Sequence, residues 1–300
     1  MLASAFFFSI MSLLVKLAGK GLPSMEIVLA RGLVSLVLSY WLVKRAGVYL
    51  WGQRRWILIL RGLFGFAAMS CFYYALTQLP IAEATVLHYT NPLWTALFAA
   101  IFLRERLTRW VIGPVLVSFV GVVLVTRPAL LFGAGVPGIE PFGAGIALLG
   151  AMLSAVAYVT VREASKTEDP LVIVFYFPLI TVPASLPFIP SFRWPTGWEW
   201  LVLLGVGVST QIAQVFLTRG LSLEPAGRAM GIGYSQILFV TIWGMIFFAE
   251  FLDVWGTIGS LLIIAGTLIV ALVGRAAVPS AAHTERPGGT AALAGREAAD

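Results

Sequence analysis

The stretch ERLTRW at residues 105–110 has a second copy, EFLDVW, at residues 250–255. The two copies share the pattern Glu-x-Leu-x-x-Trp and are separated by 145 residues. A motif that recurs together with its flanking residues indicates that the chain consists of two related halves. The same offset also aligns Leu76 with Leu221, Pro80 with Pro225, Tyr89 with Tyr234 and Gly121 with Gly266.

The composition around this repeat is that of a membrane protein. Of the 300 residues, 59% are hydrophobic and 11% are charged, and the mean hydropathy is +0.93. Soluble domains carry about 25% charged residues, so lipid must cover most of this apolar surface. The one cysteine, Cys71, lies in an apolar run, which leaves no disulfide framework and no cysteine cluster for zinc.

The chain contains ten apolar segments separated by Gly, Pro and charged residues, and a membrane-spanning helix needs about 20 apolar residues. The first segment lacks basic residues ahead of it, so it is interpreted as a membrane helix and not as a signal peptide. The sequence therefore predicts an all-α integral membrane protein with ten transmembrane helices, at roughly 2–18, 25–43, 56–77, 80–103, 110–126, 142–162, 171–190, 199–220, 225–249 and 254–274.

The repeat divides these helices into two sets of five. Because five is odd, the second set must enter the membrane from the opposite side, which makes the fold two inverted five-helix repeats, a common construction of secondary transporters. The expected domains are a first repeat at 1–126, an inter-repeat loop at 127–141, a second repeat at 142–274, and a disordered cytoplasmic tail at 275–300.

The positive charges in the loops predict the orientation, and they account for the net charge of +6 without nucleic acid. With the N-terminus inside, eleven basic residues lie on the cytoplasmic side and four on the other, so we expect a multi-pass protein of the cell inner membrane with both termini cytoplasmic. The eleven are Lys44, Arg45, Arg54, Arg55, Arg104, Arg106, Arg109, Arg162, Lys166, Arg219 and Arg275; the four are Lys16, Lys20, Arg127 and Arg193.

Several stretches resemble the EamA-type transporters of the drug/metabolite transporter superfamily. They are residues 73–84, 91–94 and 105–107, with Arg31 in helix 2 and a second copy running from Gly220 to Trp255. The resemblance covers about residues 1–274 and implies ten helices in two repeats. It also implies transport of small metabolites, often export of amino acids or related compounds. One departure is Arg228, which occupies the position in the second half that corresponds to Glu83.

Ionisable residues inside membrane helices are rare and usually face an interior cavity. We single out Arg31, which either pairs with Glu26 or Glu83, or meets a substrate carboxylate. His88 has the pKa range that suits proton coupling near neutral pH, but a hydrogen-bonded packing histidine is the favoured interpretation. Glu83 is the other coupling candidate, and the scarcity of acidic residues favours exchange or facilitated transport.

Uncharged polar and aromatic residues complete the predicted solute site, although the same residues also pack membrane helices against one another. Pro92 in helix 4 and the GxxxG pair Gly227 and Gly231 in helix 9 are candidate hinge or gate positions. The remaining substrate-binding candidates are Tyr89, Asn91, Trp94, Gln211, Gln214, Tyr234 and Trp243. Glu105 and Glu250 are interpreted as residues that fix short helix turns, because inversion places them on opposite sides.

The sequence favours a secondary transporter that exports or exchanges amino acids or related compounds by alternating access. An uptake permease for a vitamin or nucleoside-like metabolite has the same expected fold, and a membrane-embedded enzyme or scaffold is the alternative from another class. No catalytic or P-loop motif is present, and the three aspartates lie in loops or at the end of the chain. We expect no catalytic residue, cofactor or metal. The expected partners are a small solute and the lipid bilayer, not nucleic acid; monomer and homodimer both remain open.

Overall fold

The computed structural model describes residues 1–19, 21–78, 87–105, 109–126, 141–248 and 254–276. The secondary structure in this part of the chain is entirely helical, with eleven α-helices and a 3-10 helix at Leu186–Ser191. The α-helices are α1 (Leu2–Ala18), α2 (Ser24–Arg45), α3 (Arg55–Gln78), α4 (Asn91–Phe102), α5 (Arg109–Thr126), α6 (Pro141–Ala164), α7 (Pro170–Ser185), α8 (Trp198–Leu223), α9 (Ala226–Gly233), α10 (Ser235–Phe248) and α11 (Val254–Ala276).

Local chemistry sets the helix ends. Pro23 precedes α2 in extended conformation, and α7 begins with Pro170 after Asp169, whose side chain accepts a 2.8 Å hydrogen bond from the Leu171 amide. Pro at the first helical position and Asp at the N-cap are both favourable there. Seven of the ten predicted segments agree with these helices to within three residues.

Three predicted segments differ from the structure. Segment 171–190 ends as α-helix at Ser185 and continues as a 3-10 turn, because Pro187 and Pro190 cannot donate backbone hydrogen bonds. Segment 225–249 was expected to be one helix but is interrupted at Tyr234, next to Gly231 and Gly233, which are weak helix formers.

In segment 80–103, residues 79–86 lie outside the described part, and a turn at Tyr89 and Thr90 precedes α4. Pro92, a candidate hinge of predicted helix 4, does not lie in the middle of a helix. It lies instead in the first turn of α4, where an amide hydrogen has no helical acceptor in any case.

Six helical segments of the described part are long and apolar enough to cross a membrane, two of them formed by consecutive helices (α7 with the 3-10 turn, and α9 with α10), and four shorter helices are also apolar. Large apolar side chains cover the outer surface of several of them, as lipid contact requires. The chain is therefore a multi-pass membrane protein. The six are Ser24–Arg45, Arg55–Phe72, Phe142–Ala164, Pro170–Ser191, Trp198–Leu223 and Ala226–Phe247; the four are Leu2–Ala18, Asn91–Phe102, Arg109–Leu124 and Val254–Val270.

The helices pack in a few extensive pairs. The longest interfaces join α5 to α11, α3 to α6, α1 to α8 and α2 to α7. Gly121 and Gly266, which the 145-residue offset aligns, both lie between α5 and α11. A methyl group added at Gly121 would lie 2.5 Å from the carbonyl oxygen of Gly259, so glycine permits this close approach. Helices α1 to α4 and α6 to α10 surround an interior space that the α5–α11 pair does not line.

Candidate functional site

A cavity of about 820 Å³ lies inside the helix bundle. Its described wall takes residues from both halves of the chain, namely from α1 to α4 in the first and from α6 to α10 in the second. Most of the wall is apolar, and a limited set of polar groups projects from it, which is the usual make-up of a small-molecule site. The polar members are Ser4, Ser12, Lys16, Arg31, Arg61, His88, Tyr89, Asn91, Ser154, Tyr158, Gln214, Gln236 and Thr241.

Six of the residues singled out from sequence line this cavity: Arg31, His88, Tyr89, Asn91, Pro92 and Gln214. Six others lie elsewhere in the bundle: Trp94, Gln211, Gly227, Gly231, Tyr234 and Trp243. The remaining one, Glu83, lies outside the described residues.

Arg31 enters the cavity from α2. Its guanidinium donates to the sulfur of Met69 at 3.4 Å and approaches the sulfur of Met11 at 3.9 Å. It also lies 5.6 Å from the centre of the Phe177 ring, within the range of a cation–π interaction. Glu26, one of its expected partners, accepts a 2.9 Å hydrogen bond from the Arg193 amide. This bond fixes the start of α2 to the loop before α8 in the second half.

Arg61 is one of the cavity residues that the sequence analysis did not single out. It lies in α3, is 3% exposed, and places its guanidinium carbon 4.7 Å from the same Phe177 ring. Its Nη2 donates a long hydrogen bond of 3.4 Å to Oε1 of Gln214. An arginine in a membrane segment costs about 2.5–3.5 kcal/mol on insertion scales, so its presence within the apolar run of residues 56–66 was a usable signal.

His88 and Asn91 lie on the side of the cavity formed by the start of α4. The His88 ring packs against Phe72 with centres 4.2 Å apart, and its Nδ1 has no hydrogen-bond partner within the described part of the chain. The Asn91 Oδ1 is likewise buried and unpartnered there. Thr95, which shares their helical face, donates to the Asn91 carbonyl at 2.7 Å and is not on the wall. His88 and Asn91 therefore line the cavity and each keep one buried hydrogen-bonding atom without a partner among the described residues.

Tyr89 and Tyr234 meet at the two interruptions in the helices. The Tyr234 hydroxyl donates to the main-chain oxygen of Tyr89 at 2.9 Å, and the two rings are stacked with centres 6.3 Å apart. Tyr234 is 0% exposed, so it lies behind the wall while Tyr89 forms part of it. Tyr234 therefore holds Tyr89 in place and does not itself reach the cavity.

The other predicted residues make packing contacts. The Trp94 ring lies 6.0 Å from that of Phe98, and Gln211 is buried within α8. Trp243 donates through Nε1 to the Ser9 hydroxyl at 2.9 Å, beside a small pocket of about 60 Å³. In the GxxxG pair, Gly227 abuts Ala96 of α4 and Gly231 abuts Val115 of α5. This is the close packing that small residues allow.

One end of the bundle is held by a network around Glu105. Arg162 donates to Glu105 through Nε at 3.1 Å, and its Nη1 donates to the carbonyl oxygens of Leu221 at 3.0 Å and Ser222 at 2.7 Å. The second carboxylate oxygen of Glu105 accepts the Ala226 amide at 3.0 Å, at the start of α9. Glu105 therefore joins the end of α4 to three helices of the second half, a wider role than fixing a helix turn.

Within the described residues, no group of three His, Cys, Asp or Glu side chains could hold a metal ion.

Comparison with known proteins agrees with this architecture. The sequence model of the EamA-like transporter family matches residues 1–127 and 141–272. A solved crystal structure superposes with a TM-score of 0.77, covering 91% of this chain and 98% of its own, at 22% identity, which shows a shared fold.

Three relatives carry transporter names. The pseudopaline exporter CntI of Pseudomonas aeruginosa is 34% identical, covering 88% of this chain and 92% of its own. Solute carrier family 35 member G1 of Mus musculus is 30% identical, covering 88% of this chain and 75% of its own. The S-adenosylmethionine uptake transporter of Rickettsia felis is also 30% identical, covering 73% of this chain and 72% of its own. The bundle, the cavity and these relatives define a membrane transporter of small solutes, a class distinct from enzymes. The chain belongs to the EamA-like transporter family.

Proposed function

We propose that the protein is a secondary transporter that exports or exchanges amino acids or related compounds by alternating access. The supporting observation is the cavity of about 820 Å³ whose wall is shared by the two halves of the chain. A site between two halves becomes accessible from either side when one half rocks against the other. Arg31, Tyr89, Asn91 and Gln214 are the proposed solute contacts. Glu83 is the proposed coupling candidate, and His88 is proposed as a packing residue of the cavity wall.

The pattern of helix packing supports two inverted repeats. If α1–α5 are matched in order with α6, α7, α8, the α9–α10 pair and α11, each interface should have an equivalent interface under the exchange of halves. The α3–α6 interface then corresponds to α8–α1, and the α3–α7 interface to α8–α2, and all four are present. The α2–α7 and α5–α11 interfaces map onto themselves. The two matches to the family model, at residues 1–127 and 141–272, support the proposed repeats at 1–126 and 142–274. Ten membrane crossings, the loop at 127–141 and the tail at 275–300 belong to the same proposal.

The mechanism requires that the Glu105 network break and re-form. In the described structure this network ties the end of α4 to α6, α8 and α9. The cavity wall, by contrast, extends along α1 and α10 toward Lys16 and Gly244. We infer that solute enters from the Lys16 end in this state. Opening of the other end would separate Glu105 from Arg162.

The excess of eleven basic residues over four supports a location in the inner membrane with both termini cytoplasmic. In that orientation the Glu105 network is on the cytoplasmic side. Single cysteines introduced near Arg45 and near Arg193, in a Cys71→Ser background, test this in intact cells. An impermeant maleimide should label the Arg193 site only; the reverse labelling would overturn the orientation.

Solute counterflow in proteoliposomes tests the function. Radiolabelled amino acids, nucleosides and flavins are offered to vesicles preloaded with the same unlabelled solute, with and without a pH gradient. Accelerated exchange of amino acids is the expected result, with little effect of the gradient if exchange or facilitated diffusion operates. Exchange of nucleosides or flavins alone would overturn the proposed solute class, and the absence of any exchange by folded, oriented protein would overturn transport by this chain.

Uptake is a second candidate for the direction of transport, and it is favoured by the relative named as an S-adenosylmethionine uptake transporter. Export is favoured by the relative named as a pseudopaline exporter. Flux measured in right-side-out and inside-out membrane vesicles separates the two, because an exporter loads the inside-out vesicles.

A further inference from the structure

We propose that Arg61 is the anion-binding residue of the cavity and that transported solutes are selected by a carboxylate group held there. This inference rests on the proposed transport function and adds the chemical class of the solute. It assigns to Arg61, Gln214 and Phe177 the part of the cavity that recognises charge.

The charge of Arg61 is not neutralised by a carboxylate in the described part of the chain. The ion pairs found there involve other cations, and no Asp or Glu is among the described residues of the cavity wall. The Nε of Arg61 is buried and has no hydrogen-bond acceptor among the described residues, and the one bond given for the side chain, to Gln214, is long. A buried guanidinium with an unused donor at a cavity wall is suited to an anionic guest.

A second buried arginine provides a comparison. Arg228 is 7% exposed, yet its Nη1 donates to Glu224 at 2.7 Å and its Nε to the Val270 carbonyl oxygen at 3.1 Å. Arg228 is not on the cavity wall. Elsewhere in the bundle, then, a buried arginine receives a carboxylate and a carbonyl from the protein. At Arg61 no described residue supplies a carboxylate or an acceptor for Nε, so a solute in the cavity can supply both.

The neighbours of Arg61 favour a carboxylate in particular. A guanidinium presents parallel N–H groups that match the two oxygens of a carboxylate. Gln214 directs its carbonyl oxygen at Arg61, which leaves its amide N–H groups to donate to the same guest. The Phe177 ring beside the guanidinium shields the charge from water and strengthens its attraction for an anion.

The rest of the wall indicates what accompanies the carboxylate. Methionine, phenylalanine and alanine side chains form much of it, and they suit a hydrocarbon body. No carboxylate on the described wall is available to bind a substrate ammonium group. We therefore expect an apolar monocarboxylate to be accepted with or without an amino group, and an amine without a carboxylate to be rejected.

Two sets of matched probes test this inference. One set is L-leucine, 4-methylpentanoate, 3-methylbutylamine and L-leucinamide; the other is L-phenylalanine, 3-phenylpropanoate, phenethylamine and L-phenylalaninamide. Each set keeps one skeleton and varies only its charged groups. Thermal stabilisation of the purified protein by millimolar probe measures binding, and counterflow measures transport. We expect the two carboxylates of at least one set to stabilise the protein, while the matching amine and amide do not.

Variants assign the effect to Arg61. Arg61→Gln should weaken carboxylate binding about 10- to 100-fold, the loss expected for a hydrogen bond to a charged group. Arg61→Lys, which keeps the charge and loses the planar fork, should fall in between. Because the removed charge is buried and has no carboxylate partner among the described residues, Arg61→Gln without ligand should melt at the same temperature or higher. The matched control Arg228→Gln should melt lower and keep the preference for carboxylates.

The inference is overturned if amines or amides stabilise the protein as well as carboxylates do, or if Arg61→Gln binds carboxylates as tightly as the unmodified chain. It is also overturned if no carboxylate stabilises the protein, including the case in which phenyl phosphate alone does. Carboxylate-dependent stabilisation without flux would keep the anion site and reject transport. Counterflow of nucleosides or flavins without any carboxylate effect would keep transport and reject the anion site.

Discussion

The hydroxyl group of Tyr234 donates a hydrogen bond of 2.9 Å to the main-chain oxygen of Tyr89, its counterpart at the 145-residue offset. Each tyrosine lies where a helix is interrupted, Tyr89 in the turn before α4 and Tyr234 between α9 and α10. Carbonyl groups at helix interruptions need partners inside a membrane, and here the partner comes from the other half of the chain. The contact therefore joins the two halves at their equivalent helix interruptions.

Tyr234→Phe should destabilise the protein by about 1–3 kcal/mol, because it leaves a buried carbonyl without its donor. Thermal unfolding in detergent measures this loss. Tyr89→Phe is the matched control, since the acceptor is the backbone of Tyr89 and survives the substitution. A drop in melting temperature for Tyr89→Phe as large as that for Tyr234→Phe would show that ring packing, not this hydrogen bond, carries the stability.

Glu105→Gln should make the Arg162 end of the bundle more accessible. The substitution removes the charge that holds Arg162 and weakens the bond to the Ala226 amide at the start of α9. Cysteine introduced at Leu221, in a Cys71→Ser background, should react faster with a maleimide when Glu105 is replaced. Glu163→Gln is the control, because its ion pairs with Arg54 and Lys166 are solvent-exposed and contribute little. Equal labelling rates would argue against a gate at Glu105.

Gly227→Ala should destabilise the protein by about 1–3 kcal/mol through overpacking. The added methyl group would lie 2.8 Å from Cβ and 3.1 Å from Cα of Ala96. Adding Ala96→Gly removes the nearer contact and should restore part of the loss, which a thermal unfolding series measures. Gly113→Ala is the control, since nothing lies within 4 Å of the added atom. A Gly227→Ala variant as stable as Gly113→Ala would show that α4 and α9 separate at little cost.

His88→Ala should lower stability and leave the pH dependence of flux unchanged. The imidazole packs on Phe72 at 4.2 Å, and the described cavity wall holds no carboxylate with which it could exchange a proton. Counterflow rates between pH 5.5 and 8.5, roughly the range over which an unperturbed histidine titrates, provide the measurement. A flattened profile in the variant would instead identify His88 as a proton-coupling residue.

The helices could be predicted from sequence because lipid imposes a length on each apolar run and Gly, Pro and charge end it. The interruption at Tyr234 was missed, since the run from 225 to 249 has no proline after its first residue and glycine alone only weakens a helix. The packing partners were not accessible from sequence either. Interfaces such as α5 with α11 depend on close approach at Gly121 and Gly266, which become recognisable as contacts only when both helices are placed.

The candidate site was predicted in part. Gln211 and Gln214 lie on one side of α8, yet only Gln214 lines the cavity, because the 60° between positions three apart is enough to turn one side chain into a helix interface. Arg61 was visible as a charge in an apolar run. Its inward direction depends on the rotation of α3 against α6 and α7, which a single sequence does not specify.

The methionines of the cavity wall have a consequence for how such a protein acquires new solutes. Met11 and Met69 contact Arg31, and Met230 lines the same cavity. An unbranched thioether chain adjusts its shape to what it touches. A flexible wall next to a fixed charge allows the size and shape of the accepted solute to change while the charged group that is recognised stays the same. Substitution of one methionine can then shift the preferred solute without changing the arrangement of the helices. One helix bundle can therefore give rise to transporters of different solutes.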